Sequence, residues 1–235
     1  MREAIILAGG KGTRLKPYTA VIPKPLMPLG DKSIIEIILE QLNKYNFDKV
    51  HISLGYLAYM VKASILNHSK KWRFDIEFHD EDKPLGTAGA LAKLAPKSKQ
   101  LLVINGDTLT DLSFIDLLDF HKKQKADITI ASYKRFVNIE YGVLITNDTK
   151  ELQDYQEKPV LKYLVSMGTY VVNPALLHLI PKDSHFDFPT FILKAKKGNH
   201  RVSLYIHEGY WRDLGNIADI NEAMEDYTKN PSRFL

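Results

Sequence analysis

The feature that most constrains this chain is the alternation, through its first half, of short β-rich runs with amphipathic helical segments. Strand-like runs fall at Ala4–Leu7, Val50–Leu54, Phe74–Phe78 and Leu101–Ile104. Helical patterns fall at Ile34–Asn43, Leu57–Leu66, Ala88–Leu94 and Phe114–Lys123. Alternating β and α units predict an α/β fold with a mostly parallel sheet and helices on both faces, because parallel strands need a long crossover. Ser33 followed by Glu36 supplies a start signal for the helix at Ile34, a capping box in which each side chain satisfies an orphan backbone N–H. Open α/β sheets bind ligands beyond the carboxyl ends of their strands, so the loops that follow strands carry the functional reading.

The second half reads differently. Strands are predicted at Ile128–Tyr133, Gly142–Ile145, Glu151–Gln156 and Leu164–Val172, and helices at Pro174–Leu179, Asp187–Lys194 and Ile217–Tyr227. This suggests an α/β half over residues 1–126 and a smaller, partly antiparallel half over 127–235. No Gly/Ser/Pro-rich linker separates them, so a single domain of 235 residues with a shared core is expected. No internal repeat is present, and no C-terminal hexapeptide repeat of the β-helix kind.

Composition narrows the function classes. The net charge of +4 is spread over short runs such as Lys70-Lys71 and Lys196-Lys197 rather than a stripe, so nucleic acid is not an expected partner. Zero cysteines exclude disulfides, thiolate metal sites and a cysteine nucleophile. The apolar run Ala4–Leu7 is too short for a signal-peptide core, and no segment approaches the roughly 20 apolar residues of a membrane span. A cytoplasmic protein without a membrane partner is the default expectation.

The strongest motif is Leu7-Ala8-Gly9-Gly10-Lys11-Gly12-Thr13-Arg14-Leu15, directly after the first strand. Three glycines in four positions allow close backbone approach to a ligand, and successive N–H groups can cradle phosphate oxygens. A dinucleotide fingerprint starting at Gly10 needs glycine at position 15, which is Leu15, and no Walker A run exists. Alone, the loop also reads as a plain glycine-rich turn. Pro23-Lys24-Pro25 follows, and its two prolines predict an extended backbone that holds the Lys24 ammonium in place. Arg14 adds a planar fork for phosphate oxygens. Asp107 ends the run Val103-Ile104-Asn105-Gly106-Asp107 and reads either as a crevice carboxylate or as a turn residue. Asp213, in Tyr210-Trp211-Arg212-Asp213-Leu214-Gly215, reads either as a second crevice carboxylate or as a helix-start residue. His121, His178 and His207 stand alone without metal-ligand spacing and read as solvated or hydrogen-bonded.

The L-A-G-G-x-G-T-R-L run followed by P-K-P resembles the signature of the sugar-1-phosphate nucleotidyltransferases. These include mannose-1-phosphate guanylyltransferases, glucose-1-phosphate thymidylyltransferases and related uridylyltransferases. Later motifs keep the family order over nearly the whole chain: P-L-G-T-A-G at Pro84–Gly89, N-G-D at Asn105–Asp107, Y-G-V at Tyr141–Val143, E-K-P at Glu157–Pro159 and W-x-D-x-G at Trp211–Gly215. The match is closest to guanylyltransferase-like members.

The resemblance implies a Rossmann-like, GT-A-like fold with a sugar-binding subdomain. It implies transfer of a nucleotidyl group from a nucleoside triphosphate to a sugar 1-phosphate, with release of pyrophosphate, for nucleotide-sugar and polysaccharide synthesis. Mg²⁺ is the implied cofactor, on Asp107 and Asp213, and hard carboxylate oxygens suit it. Arg14, Lys24 and Asp107 are the implied catalytic residues. The implied nucleotide site is Leu7, Ala8, Gly9, Gly10, Gly12, Thr13, Arg14, Lys24, Glu81, Gly86, Thr87 and Asp107. The implied sugar-phosphate site is Asn105, Gly142, Glu157, Lys158, Ser166 and Asp213. Without the family, Glu157-Lys158 also reads as a surface salt bridge.

For the base, Glu81 stands where thymidylyltransferases carry glutamine. A carboxylate only accepts hydrogen bonds, which suits the adjacent N1–H and amino donors of guanine. Some uridylyltransferases carry an acid here too, and Asp80-Glu81-Asp82 also reads as a solvated acidic loop. GTP is favoured over UTP, dTTP and CTP. A cytidylyltransferase for a non-sugar phosphate is the runner-up, and a catalytically dead homologue would have lost Lys24, Asp107 or Asp213. The missing β-helix repeat predicts an enzyme without acetyltransferase activity. Oligomeric state is left open, a homo-oligomer included.

Overall fold

The computed structural model describes residues 1–235. The first half contains β1 (Glu3–Ala8), β2 (Pro28–Leu29), β3 (Lys32–Ser33), α1 (Ile34–Lys44), β4 (Lys49–Leu54), α2 (Ala58–Asn67) and β5 (Asp75–Asp80). These are followed by α3 (Gly86–Gly89), β6 (Leu101–Asn105), β7 (Thr108–Thr110) and α4 (Phe114–Gln124). The second half contains β8 (Ile128–Asn138), β9 (Val143–Thr146), β10 (Leu152–Gln156) and β11 (Val160–Val172). It closes with α5 (Phe188–Lys197), β12 (Val202–His207), β13 (Trp211–Asp213) and α6 (Ile217–Lys229). No helix is long and apolar enough to cross a membrane.

The central sheet has the order β12-β8-β11-β6-β1-β4-β5. Strands β6, β1, β4 and β5 pair in parallel, and β12 pairs in parallel with β8. Only β11 runs against its neighbours β6 and β8. The sheet is therefore mostly parallel, as the alternation of elements predicts. The inner strands are buried on both faces. Ala4, Ile6 and Ala8 of β1 enter one core with Val50, Ile52 and Leu54, while Ile5 enters the other with Leu101 and Val103. The first core is closed by apolar stripes of α1, α2, α4 and α6, and the second by α3 and α5. At the start of α1 the Glu36 carboxylate accepts from the Ser33 N–H at 2.9 Å, completing the capping box. Because β11 lies between β6 and β8, the strands after residue 127 extend the sheet begun by β1. Ala131, Val171 and Tyr227 share the first core with Ile6 and Leu39.

Several boundaries differ from the sequence reading. The helix expected over Ala88–Leu94 begins at Gly86, where a φ of +75° admits the turn, and tightens to a 3₁₀ helix over Ala90–Lys93. Pro174–Leu179 is also a 3₁₀ helix. Strands β8 and β11 run beyond the sheet as a two-stranded arm, Lys134–Asn138 against Val160–Leu164, with the β9–β10 hairpin attached. Strand β12 was not anticipated. It is an edge strand whose Leu204 and Ile206 are exposed, so it lacks the clean inward pattern of its neighbours.

Candidate active site

Strand β1 delivers the chain to a cleft at the carboxyl ends of β1 and β6. The glycine loop turns sharply there. Gly12 sits at φ +59°, and its carbonyl accepts from the Thr19 hydroxyl at 2.8 Å and the Leu15 N–H at 2.9 Å. A Cβ on Gly12 would meet the Thr19 methyl at 2.9 Å, so glycine is needed for conformation and for space. The cleft holds about 260 Å³ and is lined by Leu7, Ala8, Gly9, Gly10, Lys24, Glu81, Gly86, Thr87, Asn105 and Asp107 among the expected residues. Its other lining residues are Pro25, Pro84, Gly106, His185 and Asp187.

Lys24 is only 8% exposed, and its Nζ donates to Asp107 Oδ2 at 2.6 Å. The backbone around it differs from the extended form expected. Pro23 is extended, but Lys24 opens a 3₁₀ turn to Leu26, closed by a Leu26 N–H bond to the Pro23 carbonyl at 2.8 Å. The turn is stiff because its middle residue is Pro25.

A short antiparallel ribbon brings the second carboxylate in. Strands β7 and β13 pair Thr108 with Asp213, and the Leu214 N–H donates to the Asp107 carbonyl at 2.9 Å. Two aspartates 106 positions apart thus face one another, with positions 213 and 107 both at one end of the ribbon. Burial first, and repulsion from Asp107 second, push the Asp213 carboxyl above the usual carboxylate range, while Lys24 and Arg14 pull it down. Arg14 and Asp213 converge over Gly215, where a Cβ would lie 2.7 Å from Asp213 Oδ2 and 3.1 Å from Arg14 Nη1. Gly12, Thr13, Arg14 and Asp213 do not line the cleft itself. The last two adjoin its carboxylate end.

The opposite wall is built around Glu81, which follows edge strand β5. Glu81 Oε1 accepts from the Ser53 hydroxyl at 2.6 Å and Oε2 from the Leu85 N–H at 3.1 Å. The carboxylate lies against Gly9, where a Cβ would come within 2.7 Å of Oε1. It is therefore fixed in a cleft wall rather than solvated in an acidic loop. Each oxygen keeps a further lone pair.

Beyond Glu81, two helix starts cap one another. The Thr87 N–H donates to Asp187 Oδ1 at 3.2 Å, and the Thr87 hydroxyl accepts from the Phe188 N–H at 2.8 Å. This exchange places Asp187 and His185 in the lining, a role the sequence reading missed. Asp187-Phe188-Pro189 does carry a helix-start signal.

Asn105 ends β6 against Gly168, whose φ of +72° and missing Cβ make room for the amide. Asn105 Oδ1 is buried in the cleft wall with no partner in the protein. The remaining expected residues stand apart. Gly142 packs on the Tyr155 ring, the Tyr155 hydroxyl donates to Glu157 Oε2 at 3.1 Å, and Lys158 has a φ of +44°. These lie on the exposed arm, outside the cleft lining. Ser166 sits at the root of the arm and its hydroxyl donates to the Tyr170 hydroxyl at 3.0 Å.

Comparison with known proteins agrees with this architecture. The family model described as nucleotidyl transferase matches residues 3–230. The chain belongs to the nucleotidyl transferase family. Within that family it is 33% identical to the mannose-1-phosphate guanyltransferase of Yarrowia lipolytica over 92% of this chain and 61% of the relative. It is 31% identical to mannose-1-phosphate guanyltransferase beta-A of Xenopus laevis over 97% of this chain and 65% of the relative. The chain thus spans under two thirds of the length of these nucleotidyl transferase relatives. In structure it is similar to HddC from Yersinia pseudotuberculosis complexed with GMP-PN, with a TM-score of 0.76, 25% identity, and coverage of 97% of this chain and 100% of HddC.

Proposed function

We propose that this chain transfers a nucleotidyl group from a nucleoside triphosphate, GTP first, to a sugar 1-phosphate. The observation that carries the reading is the ion pair of buried Lys24 with half-buried Asp107, which lies in the cleft with the glycine loop and has Asp213 and Arg14 at its side. Preference for GTP rests on Glu81, on the guanyltransferase relatives and on the GMP-PN complex of HddC.

In the proposed reaction, an oxygen of the sugar 1-phosphate attacks the α-phosphorus of the triphosphate in line. The new O–P bond forms as the Pα–O bond to the β-phosphate breaks, and pyrophosphate leaves. The nucleophile is already an anion, so no general base and no covalent intermediate are required. Catalysis then consists of positioning and charge compensation. Backbone N–H groups of the glycine loop, at Gly9 and Gly10 in the cleft lining, would receive phosphate oxygens. Lys24 and Arg14 bring two fixed positive charges to the leaving group. Asn105 Oδ1, the unpartnered acceptor, would take a hydroxyl hydrogen. Lys158 and Glu157 on the arm are assigned to the sugar phosphate and a sugar hydroxyl.

Two half-buried carboxylates that repel one another, with one of them pushed up in pKa, fit a divalent cation with a preference for oxygen. Asp107 and Asp213 would hold Mg²⁺. When bound, it would offset phosphate charge.

Purified protein with Mg²⁺ is assayed for pyrophosphate release across a grid of nucleoside triphosphates and sugar 1-phosphates, mannose 1-phosphate included. GTP with a hexose 1-phosphate is expected to give the highest kcat/KM. A clear preference for UTP or dTTP would overturn the base assignment. Release only with a non-sugar phosphate acceptor would overturn the acceptor class.

A further inference from the structure

The edge of the sheet farthest from the arm carries a cluster that the proposed reaction does not use. Strands β4 and β5 run in parallel with His51 opposite Glu77 and Ser53 opposite His79. Residues at alternate positions share a face, so His51, Glu77 and His79 lie on the same side of the sheet. That side is apolar over β1 and β6, where α3 and α5 cover it, but no residue of β4 or β5 joins that core. The polar edge therefore needs another source of order.

The donor atoms converge. His51 Nδ1 is 2.9 Å from His79 Nε2 and 3.8 Å from Glu77 Oε2, and Glu77 Oε1 is 3.7 Å from His79 Nε2. Donors sharing one tetrahedral ion at about 2.0–2.1 Å stand roughly 3.3–3.4 Å apart. The separations of His79 Nε2 from His51 Nδ1 and from Glu77 Oε1 fall on either side of that value, each within about half an ångström of it. Burial is the main force lowering the pKa of both imidazoles, which keeps them neutral and able to ligate. Lys49 pairs with Glu77 through Oε2 and leaves Oε1 free. His79 and Glu77 are partly exposed, so an ion can enter from solvent and a water can complete its shell. The second nitrogen of His51, Nε2, is buried without a partner, so the contact with His79 is the ring's one hydrogen bond.

We propose that His51 Nδ1, His79 Nε2 and Glu77 Oε1 form a site for a Zn²⁺-type ion that clips the edge strand β5 to β4. Two imidazoles and one carboxylate suit Zn²⁺ or Co²⁺, whereas the Asp107–Asp213 pair offers only hard oxygens. The site lies two residues along each strand from Ser53 and Glu81. An ion there would steady the strand that delivers Glu81 to the cleft.

The test uses the full chain, stripped of metal and then held in excess Mg²⁺ to occupy carboxylate sites. Co²⁺ and Zn²⁺ are titrated in by calorimetry, Co²⁺ also by its visible absorption, and Tm is recorded at each ratio. The expected result is one ion per chain, the intense bands of four-coordinate Co²⁺, and a Tm that rises with ion concentration. His79→Gln and Glu77→Gln should each weaken binding at least about tenfold, since loss of even supporting groups has that effect. Asp107→Asn should leave the titration unchanged, which separates this site from the one assigned to the reaction. Both ligand variants alter exposed or half-exposed side chains, and their metal-free melts show whether they fold. If one fails to fold, the other decides. Absence of saturable Co²⁺ binding would overturn the proposal, as would binding that Asp107→Asn abolishes or that survives both ligand variants.

Discussion

The cleft and the arm are built in opposite ways. In the cleft, Gly9 and Asp107 follow strands buried on both faces, and most polar side chains already have partners: Lys24 with Asp107, Glu81 with Ser53 and Leu85, Thr87 with Asp187 and Phe188. The arm is a ribbon exposed on both faces, with Phe136, Tyr141, Leu152 and Tyr163 each more than half exposed. On it the Glu157 carboxylate accepts from the Tyr155 hydroxyl, itself on the exposed ribbon. A buried, paired site is organised before a ligand arrives, so its charges act with little reorganisation. An exposed ribbon has a smaller energetic barrier to local movement. Under the proposed function, the chemical step would fall to the cleft and acceptor capture to the arm.

The largest effect should come from breaking the cleft. Asp107→Asn removes a charge while keeping volume, and is expected to lower kcat by about 10²–10³, the range found for loss of one preorganised electrostatic contact. Asp213→Asn should fall in the same range. Far-UV circular dichroism should remain that of the parent, because neither change opens a cavity. Near-normal turnover in both variants would remove these two residues from the reacting centre.

The arm should respond differently. Lys158→Ala is expected to raise the apparent KM for the sugar 1-phosphate by about tenfold, the size of one charge-assisted contact, with the KM for the triphosphate little changed. Gly142→Ala tests the same surface by shape, since any Cβ there collides with the Tyr155 hydroxyl. It should also act on the acceptor KM and leave Tm within a few degrees. If either variant acted on the triphosphate alone, the division of labour between cleft and arm would be reversed.

What could be read in the sequence follows the same divide. Gly9, Gly10 and Asp107 were legible because each lies one or two positions past a strand end, where topology puts it at the crevice, and Lys24 because prolines flank it. Asp213 needed the family motif, since the β7–β13 ribbon that sets it beside Asp107 pairs Thr108 with Asp213, far apart in sequence, and is only three residues long. Asp187 and His185 were missed because their position depends on two helix starts capping one another across the cleft. The His51–His79 pair was hidden for a related reason: alternation fixes the face of each residue, but the register between two parallel strands is set by packing. Only the structure pairs His51 with Glu77 and Ser53 with His79.

A smaller effect is expected at the base wall. Glu81→Gln replaces an acceptor-only group with one that also donates, so the two guanine donors lose a charged partner while uracil gains a usable one. The ratio of kcat/KM for GTP to that for UTP should fall by about tenfold. Ser53→Ala removes the hydroxyl that orients the carboxylate, and should move the ratio in the same direction by less. An unchanged ratio in Glu81→Gln would transfer base reading to the backbone of the glycine loop.

The smallest effect is on stability, and its sign opposes the effect on catalysis. Asp213 has a raised pKa in the folded state, chiefly from burial and next from Asp107. A carboxyl raised on folding favours the folded state while protonated. That contribution is intact below the ordinary carboxylate pKa and is lost as pH rises through the raised folded value. At neutral pH, without a metal ion, ionised Asp213 therefore costs stability, which Asn at this position would not. Asp213→Asn should raise Tm modestly at pH 7, and the gain should shrink toward zero as pH falls below the carboxylate range. If Mg²⁺ binds as proposed, adding it should narrow the gap from the other side, because it would stabilise the parent and have one ligand fewer in the variant. Thermal melts of both proteins across pH, with and without Mg²⁺, measure this directly. A variant less stable than the parent at pH 7 in chelator would mean that Arg14 and Lys24 already neutralise Asp213, leaving the cleft less strained than its two facing carboxylates imply.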